Sequence, residues 1–179
     1  KKAAKRKALL AKRADGARKM PLHDSHNSEG ISQYPLYECI APVQLFDMGI
    51  GNLLVSRKLP DNQIAVSVFL VDLFCLGVKS SFFAIVPESE YHDTFKNPEK
   101  LGACKKADPS WTRKLIEDAV SYARNLGFNP DPDYIKAKMI FGDIDPKGCT
   151  EEFQFGKDGK PLYIQGPNEN SSQAQQIIK

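Results

Sequence analysis

The most apolar run of the chain, VFLVDLFCLGVK (residues 68–79), contains an acid, a thiol and an amine. They are Asp72, Cys75 and Lys79. A carboxylate at the end of a strand can bind a metal ion or act as a general base, a cysteine can act as a nucleophile, and a lysine can contact a phosphate or an oxyanion. One hypothesis is therefore a hydrolase, namely a metal-dependent phosphodiesterase or nuclease centred on Asp72.

The same residues also suit a buried strand that ends in a turn. An unpaired buried carboxylate costs several kcal/mol, so Asp72 must find hydrogen-bond donors. Two sets of donors lie nearby in the sequence, the backbone amides of residues 75–77 and the ammonium group of Lys79. We favour this structural interpretation, because the partners that catalysis requires are hard to identify.

Those partners would be further acids or a histidine. A metal-dependent nuclease needs several converging acids, and the other candidates follow no spacing that brings them together. They are Asp47, Glu88, Glu90, Asp118 and Asp143. A cysteine nucleophile needs a base, and the only histidine downstream of Cys75 is His92. No third group that would orient this histidine is identifiable, so the sequence leaves enzymatic activity open.

Three segments around this run have the pattern of β-strands, namely residues 36–42, 52–59 and 64–72. The turn formers of residues 60–63 join the last two into an antiparallel hairpin. Side chains of the third segment alternate between two largely apolar faces, as in a strand covered on both sides by helices, a tail or a partner. Residues 80–93 suit either another strand or a helix.

The clearest helix begins after Asp108. This residue can cap the helix, Pro109 occupies the favoured first position, and apolar residues recur every three or four positions up to Gly127. We expect a second helix capped by Asp133, followed by a hairpin whose turn is the Asp-Gly pair at residues 158–159.

Together these elements predict an α+β fold. We expect an antiparallel sheet of about four to six strands, two packed helices, a C-terminal hairpin and a basic N-terminal extension. A length of 179 residues suits one domain with tails. The domain is assigned to residues 36–167, after a basic tail and polar linker (1–35) and before a polar C-terminal tail (168–179).

The composition is that of an ordinary globular protein, with 41% hydrophobic and 26% charged residues. The longest apolar run is shorter than the roughly 20 residues that span a bilayer, so we expect no membrane partner. Four cysteines stand far apart without paired ligand spacing, which favours reduced thiols in the cytoplasm and no metal or cofactor. They are Cys39, Cys75, Cys104 and Cys149.

Positive charge is concentrated at the N-terminus. Residues 1–19 contain nine Lys or Arg residues and a single acid, Asp15, whereas the whole chain contains 25 basic and 22 acidic residues. The segment, which we call the basic arm, therefore carries +8, and the remaining 16 basic and 21 acidic residues leave −5. Its basic residues are Lys1, Lys2, Lys5, Arg6, Lys7, Lys12, Arg13, Arg18 and Lys19.

A cationic arm of this kind favours a polyanionic partner, because contacts to phosphates release counterions. The first functional hypothesis is therefore a nucleic-acid or ribonucleoprotein-associated binding protein, with non-specific phosphate contacts through the arm. Lys157 and Lys160, which flank the expected Asp-Gly turn, are candidates for further contacts. Alternatives for the arm are a targeting remnant, an acidic-membrane contact or a solvated linker. A third hypothesis for the protein is an interaction subunit of a larger assembly, in which a partner covers the apolar strand of residues 64–72.

Overall fold

The computed structural model describes residues 28–97 and 102–163. Five antiparallel strands form one sheet in the order β4-β3-β2-β1-β5. The strands are β1 (Leu36–Pro42), β2 (Ile50–Leu59), β3 (Gln63–Asp72), β4 (Gly77–Pro87) and β5 (Cys104–Lys106). The three strands predicted from the sequence are present, and β4 and β5 form the two edges of the sheet.

Four α-helices accompany the sheet, and the α+β fold predicted from the sequence is confirmed. The helices are α1 (Leu45–Met48), α2 (Glu88–Phe95), α3 (Pro109–Asn125) and α4 (Tyr134–Ala137). Short 3₁₀ segments are formed by Ser28–Gln33, Lys138–Phe141 and Pro146–Gly148. Within the described ranges no helix combines the length and the apolar composition needed to cross a bilayer.

The turn between β2 and β3 forms where the sequence predicted it. Asp61 and Asn62 adopt left-handed φ angles of 57° and 56°. Aspartate and asparagine tolerate this conformation better than most residues, because their short polar side chains can form local hydrogen bonds. The turn therefore sets the register of the hairpin, in which Leu59 pairs with Gln63.

Each face of the sheet carries its own core. Phe69 and Val71 of β3 belong to the core shared with α3 and α4, whereas Ile64 and Val66 belong to the core beneath α2. All four side chains have a relative exposure of 0%. The chain's own helices therefore bury both faces in this part of β3, and this burial requires no partner.

The helices differ in how well local sequence defined them. Residues 80–93, for which the sequence allowed a strand or a helix, contain both, since β4 ends at Pro87 and α2 follows. Helix α3 begins as predicted, because the Asp108 side chain accepts a hydrogen bond from the backbone N–H of Trp111 at 2.9 Å. The expected cap of α4 is wrong. The side chain of Asp133 forms no capping hydrogen bond, and its backbone N–H instead donates to Asp131 Oδ1 at 3.0 Å.

A buried arginine, which the sequence analysis did not single out, connects these layers. Arg57 of β2 is 1% exposed, and its guanidinium donates to the carbonyl oxygens of Ile140 (2.7 Å), Tyr34 (2.6 Å) and Phe141 (2.8 Å). It also pairs with a carboxylate oxygen of Asp143 at 2.7 Å. One side chain therefore binds the segment before β1 and the 3₁₀ turn after α4 to the centre of the sheet.

We expect Arg57→Met to destabilise the fold by about 3–5 kcal/mol, because it breaks a buried charged network and leaves several carbonyl groups without a donor. Asp143→Asn is the matched control. The Asp143 side chain is 83% exposed, so loss of its charge should leave the unfolding midpoint nearly unchanged. Urea unfolding of the full chain measures both effects. Equal effects of the two substitutions would contradict the role assigned to the carbonyl contacts.

Candidate functional site

Asp72 is the last residue of β3, and its side chain closes the turn into β4. Its Oδ1 atom accepts hydrogen bonds from the backbone N–H groups of Phe74 (2.9 Å) and Cys75 (3.0 Å), and the residue is 4% exposed. At the end of the turn Gly77 has a left-handed φ of 64°, and a Cβ atom there would lie 2.6 Å from the carbonyl oxygen of Ala119. The carboxylate therefore caps a turn that packs closely against α3.

The electrostatics of Asp72 agree with this structural role. Burial raises the pKa of its carboxyl group, while the backbone amides of the turn and the charge of Lys79 act in the opposite direction. A metal ligand or general base needs a lone pair directed at an ion or a substrate. Within residues 28–97 and 102–163, no group of three or more His, Cys, Asp or Glu side chains could hold a metal ion.

Cys75 and Lys79 lie near Asp72 but do not complete a nucleophilic site. Burial raises the pKa of the Cys75 thiol, and the charge of Asp72 raises it further. The thiol therefore stays protonated at neutral pH, whereas the thiolate is the nucleophile. The Lys79 ammonium lies 5.9 Å from the ring centroid of Tyr163. The histidine expected as a base, His92, belongs to α2 on the other side of the sheet.

The remaining acids that the sequence offered do not converge on Asp72. Asp118 pairs with Lys114 at 2.6 Å, and Asp143 pairs with Arg57 at 2.7 Å. The others belong to α1 and α2 and are Asp47, Glu88 and Glu90. The described part of the chain therefore contains no assembled set of acids around Asp72.

The lysines proposed as phosphate contacts lie at an exposed turn. Asp158 and Gly159 have positive φ angles of 52° and 74°, as an Asp-Gly turn requires. The flanking residues form a single bridge, Lys157 to Lys160, instead of two full strands. The ammonium of Lys157 lies 5.6 Å from the ring centroid of Phe74, beside the Asp72 turn. The proposed basic arm, with all nine of its Lys and Arg residues, lies outside the described residues.

A buried polar network that the sequence analysis missed lies beneath α2. A β-bulge in β1 places two consecutive residues, Tyr37 and Glu38, on this face of the sheet. Tyr91 donates to Glu38 Oε1 at 2.9 Å, the Lys96 ammonium donates to Oε2 at 3.2 Å, and Ser56 Oγ lies 3.0 Å from the Tyr91 hydroxyl. Burial raises the pKa of Tyr91, so its phenol remains a protonated donor.

A second polar cluster lies at the outer end of this network. The Tyr37 hydroxyl donates to Glu88 Oε1 at 3.4 Å and lies 3.5 Å from His92 Nε2. Lys58 pairs with the same carboxylate, and this hydrogen bond holds the pKa of Glu88 below its usual value. The two clusters bind α2 to β1 and β2 through hydrogen bonds and ion pairs between their side chains. The only sequence signal for them was a Tyr-Glu pair within the otherwise apolar segment LYECIAP.

Comparisons with protein-family models, with curated proteins and with solved structures found no match to this chain.

Two substitutions distinguish a capping Asp72 from a catalytic one. Asp72→Ala removes the acceptor of two buried backbone N–H groups, at about 1–3 kcal/mol for each group, so we expect a loss of about 2–6 kcal/mol in unfolding free energy. Asp72→Asn keeps an oxygen acceptor and removes a buried charge, so we expect it to retain most of the stability. Chemical unfolding near neutral pH measures both variants. A loss in Asp72→Asn as large as that in Asp72→Ala would contradict the cap.

Comparison with the Asp72→Asn variant also tests how the stability of the protein depends on pH. Because the pKa of Asp72 is raised in the folded state, the folded protein binds a proton at higher pH than the unfolded chain does. The wild type should therefore gain stability relative to Asp72→Asn as the pH falls from neutral through the folded pKa. An unchanged or opposite difference between the two proteins would contradict the raised pKa.

Proposed function

We propose that the protein is a nucleic-acid or ribonucleoprotein-associated binding protein of the cytoplasm, in which the basic arm makes non-specific phosphate contacts. The observation that carries this proposal is the separation of charge along the chain. The arm holds nine basic residues and one acid, whereas residues 28–97 and 102–163 contain 14 Lys or Arg and 18 Asp or Glu. A polyanion is therefore attracted by the arm and repelled, on balance, by the folded domain.

The cations of the domain support this division of roles. Five of them are already held in ion pairs with acids of the same domain, and these five are Arg57, Lys58, Lys96, Arg113 and Lys114. Lys157 and Lys160 are exposed at a turn and form no ion pair within the described part of the chain, so they remain candidates for additional phosphate contacts. A cytoplasmic location is supported by the four cysteines, all of which are free thiols.

The phosphodiesterase hypothesis receives no comparable support. It requires the Asp72 carboxylate to face a metal ion or a substrate, whereas the observed hydrogen bonds direct Oδ1 towards two backbone amides. The interaction-subunit hypothesis has one favourable observation, since no other strand of the described residues pairs with the outer edge of the sheet at β4.

The test of nucleic-acid binding compares two charge variants of the full chain. The arm variant replaces the nine Lys and Arg residues of positions 1–19 with Gln, and the control variant carries Lys157→Gln and Lys160→Gln. Fluorescence anisotropy with labelled single-stranded RNA and duplex DNA gives the affinity at several salt concentrations. A wild type with six to ten phosphate contacts should lose about 10³- to 10⁵-fold in affinity between 50 and 200 mM salt.

The arm variant should lose most of the affinity and most of the salt dependence. The control variant should lower the slope of log affinity against log salt by only about 1.4–1.8, since it removes two phosphate contacts. Binding by the arm variant that is as tight and as salt-dependent as that of the wild type would refute the proposal.

A further inference from the structure

The two edges of the sheet differ in how they are protected against pairing with another strand. β5 has only three residues, and two of them are the exposed lysines Lys105 and Lys106. Short length and lysine are two of the devices by which proteins block edge-to-edge association. β4 has eleven residues and a single charged side chain, Lys79, at one end. A register shift of β4 also lies at this end, between Val78 and Ser80. The whole of β5 is therefore protected, whereas residues 80–86 of β4 carry neither a charge nor a bulge.

The outer side of β4 has little cover in the described part of the chain. One backbone hydrogen bond reaches it, from the N–H of Asp131 to the carbonyl oxygen of Val78 at 3.0 Å. The following residues, 80–86, read SSFFAIV and contain no charge and no proline. Their outward-facing backbone donors and acceptors can pair with an added strand.

Apolar side chains flank this edge on both faces of the sheet. Phe82 is 41% exposed, and its ring centroid lies 6.0 Å from that of Phe95 on α2. On the other face Ile135 of α4 is 71% exposed, and the ammonium of the adjacent Lys136 lies 5.8 Å from the Phe83 ring centroid. An edge with unpaired peptide groups and apolar flanks is typical of a surface that a second strand covers.

We propose that a second copy of this chain pairs antiparallel with β4 about a two-fold axis at Phe82, so that two five-stranded sheets join into one. This register places Phe82 opposite its own copy and Ser80 opposite Ala84 of the second copy. No two charges then face each other, and an uncharged strand of this kind is complementary to itself. Because Asp131 covers Val78, the shared ladder extends over residues 80–84 of each copy.

The oligomeric state of the full chain tests this proposal. Sedimentation velocity over a wide concentration range should show a wild-type dimer that dissociates on dilution. Phe82→Lys places two ammonium groups opposite each other, so this variant should sediment as a monomer. Val43→Lys is the matched control, because Val43 is 54% exposed and lies in the segment between β1 and α1, away from β4. Equal unfolding midpoints and circular dichroism spectra would establish that both variants fold.

A cysteine substitution tests the register independently. In antiparallel pairs, opposing residues lie about 4.5–5.5 Å apart between Cα atoms, within the range that a disulfide bridges. Phe82→Cys should therefore form a covalent dimer under mild oxidation, whereas Met48→Cys, exposed on α1, should not. A wild type that stays monomeric at all concentrations overturns the proposal, and so does equal dimerisation of Phe82→Lys and Val43→Lys. A dimer in which Phe82→Cys fails to cross-link overturns the assigned edge and register.

Discussion

The hydrogen bonds of the Arg57 guanidinium are the constraint on which much of the architecture depends. A buried charge is costly unless hydrogen bonds compensate it, and four hydrogen bonds join this guanidinium to three backbone carbonyls and one carboxylate. Those carbonyls belong to Tyr34, Ile140 and Phe141, which are all distant from Arg57 in the sequence. The need to satisfy one charge on β2 therefore fixes the segment before β1 and the 3₁₀ turn after α4 on the sheet.

The other buried charges are also compensated by hydrogen bonds, although the donors differ from one position to the next. Backbone amides satisfy Asp72 at the end of β3, whereas the Tyr91 phenol and the Lys96 ammonium satisfy Glu38 beneath α2. No buried side-chain nitrogen or oxygen of the described residues lacks a hydrogen-bond partner. Such groups stabilise and orient the fold, and they leave few lone pairs or protons for a substrate.

The two proposed interactions use different physical forces. The basic arm offers long-range electrostatic attraction, which counterions screen and which carries no sequence specificity. The outer edge of β4 offers directional backbone hydrogen bonds with apolar flanks at Phe82 and Ile135. Pairing of two copies at that edge would place two arms on one particle, and an avidity effect would then strengthen binding to a long polyanion without any new contact type.

The sequence by itself determined the elements whose causes are local. Alternating apolar residues define β1 and β3, Asp108 and Pro109 define the start of α3, and the charge separation of the arm can be counted directly. Tertiary structure alone decided that Arg57 is a buried connector and that a bulge turns Tyr37 and Glu38 to the same face. It also decided that Asp131, not Asp133, organises the entry to α4. In these cases the interacting residues lie far apart along the chain, or the local backbone conformation decides which way a side chain points. The spacing of residues in the sequence does not show which distant group will form hydrogen bonds with a buried charge.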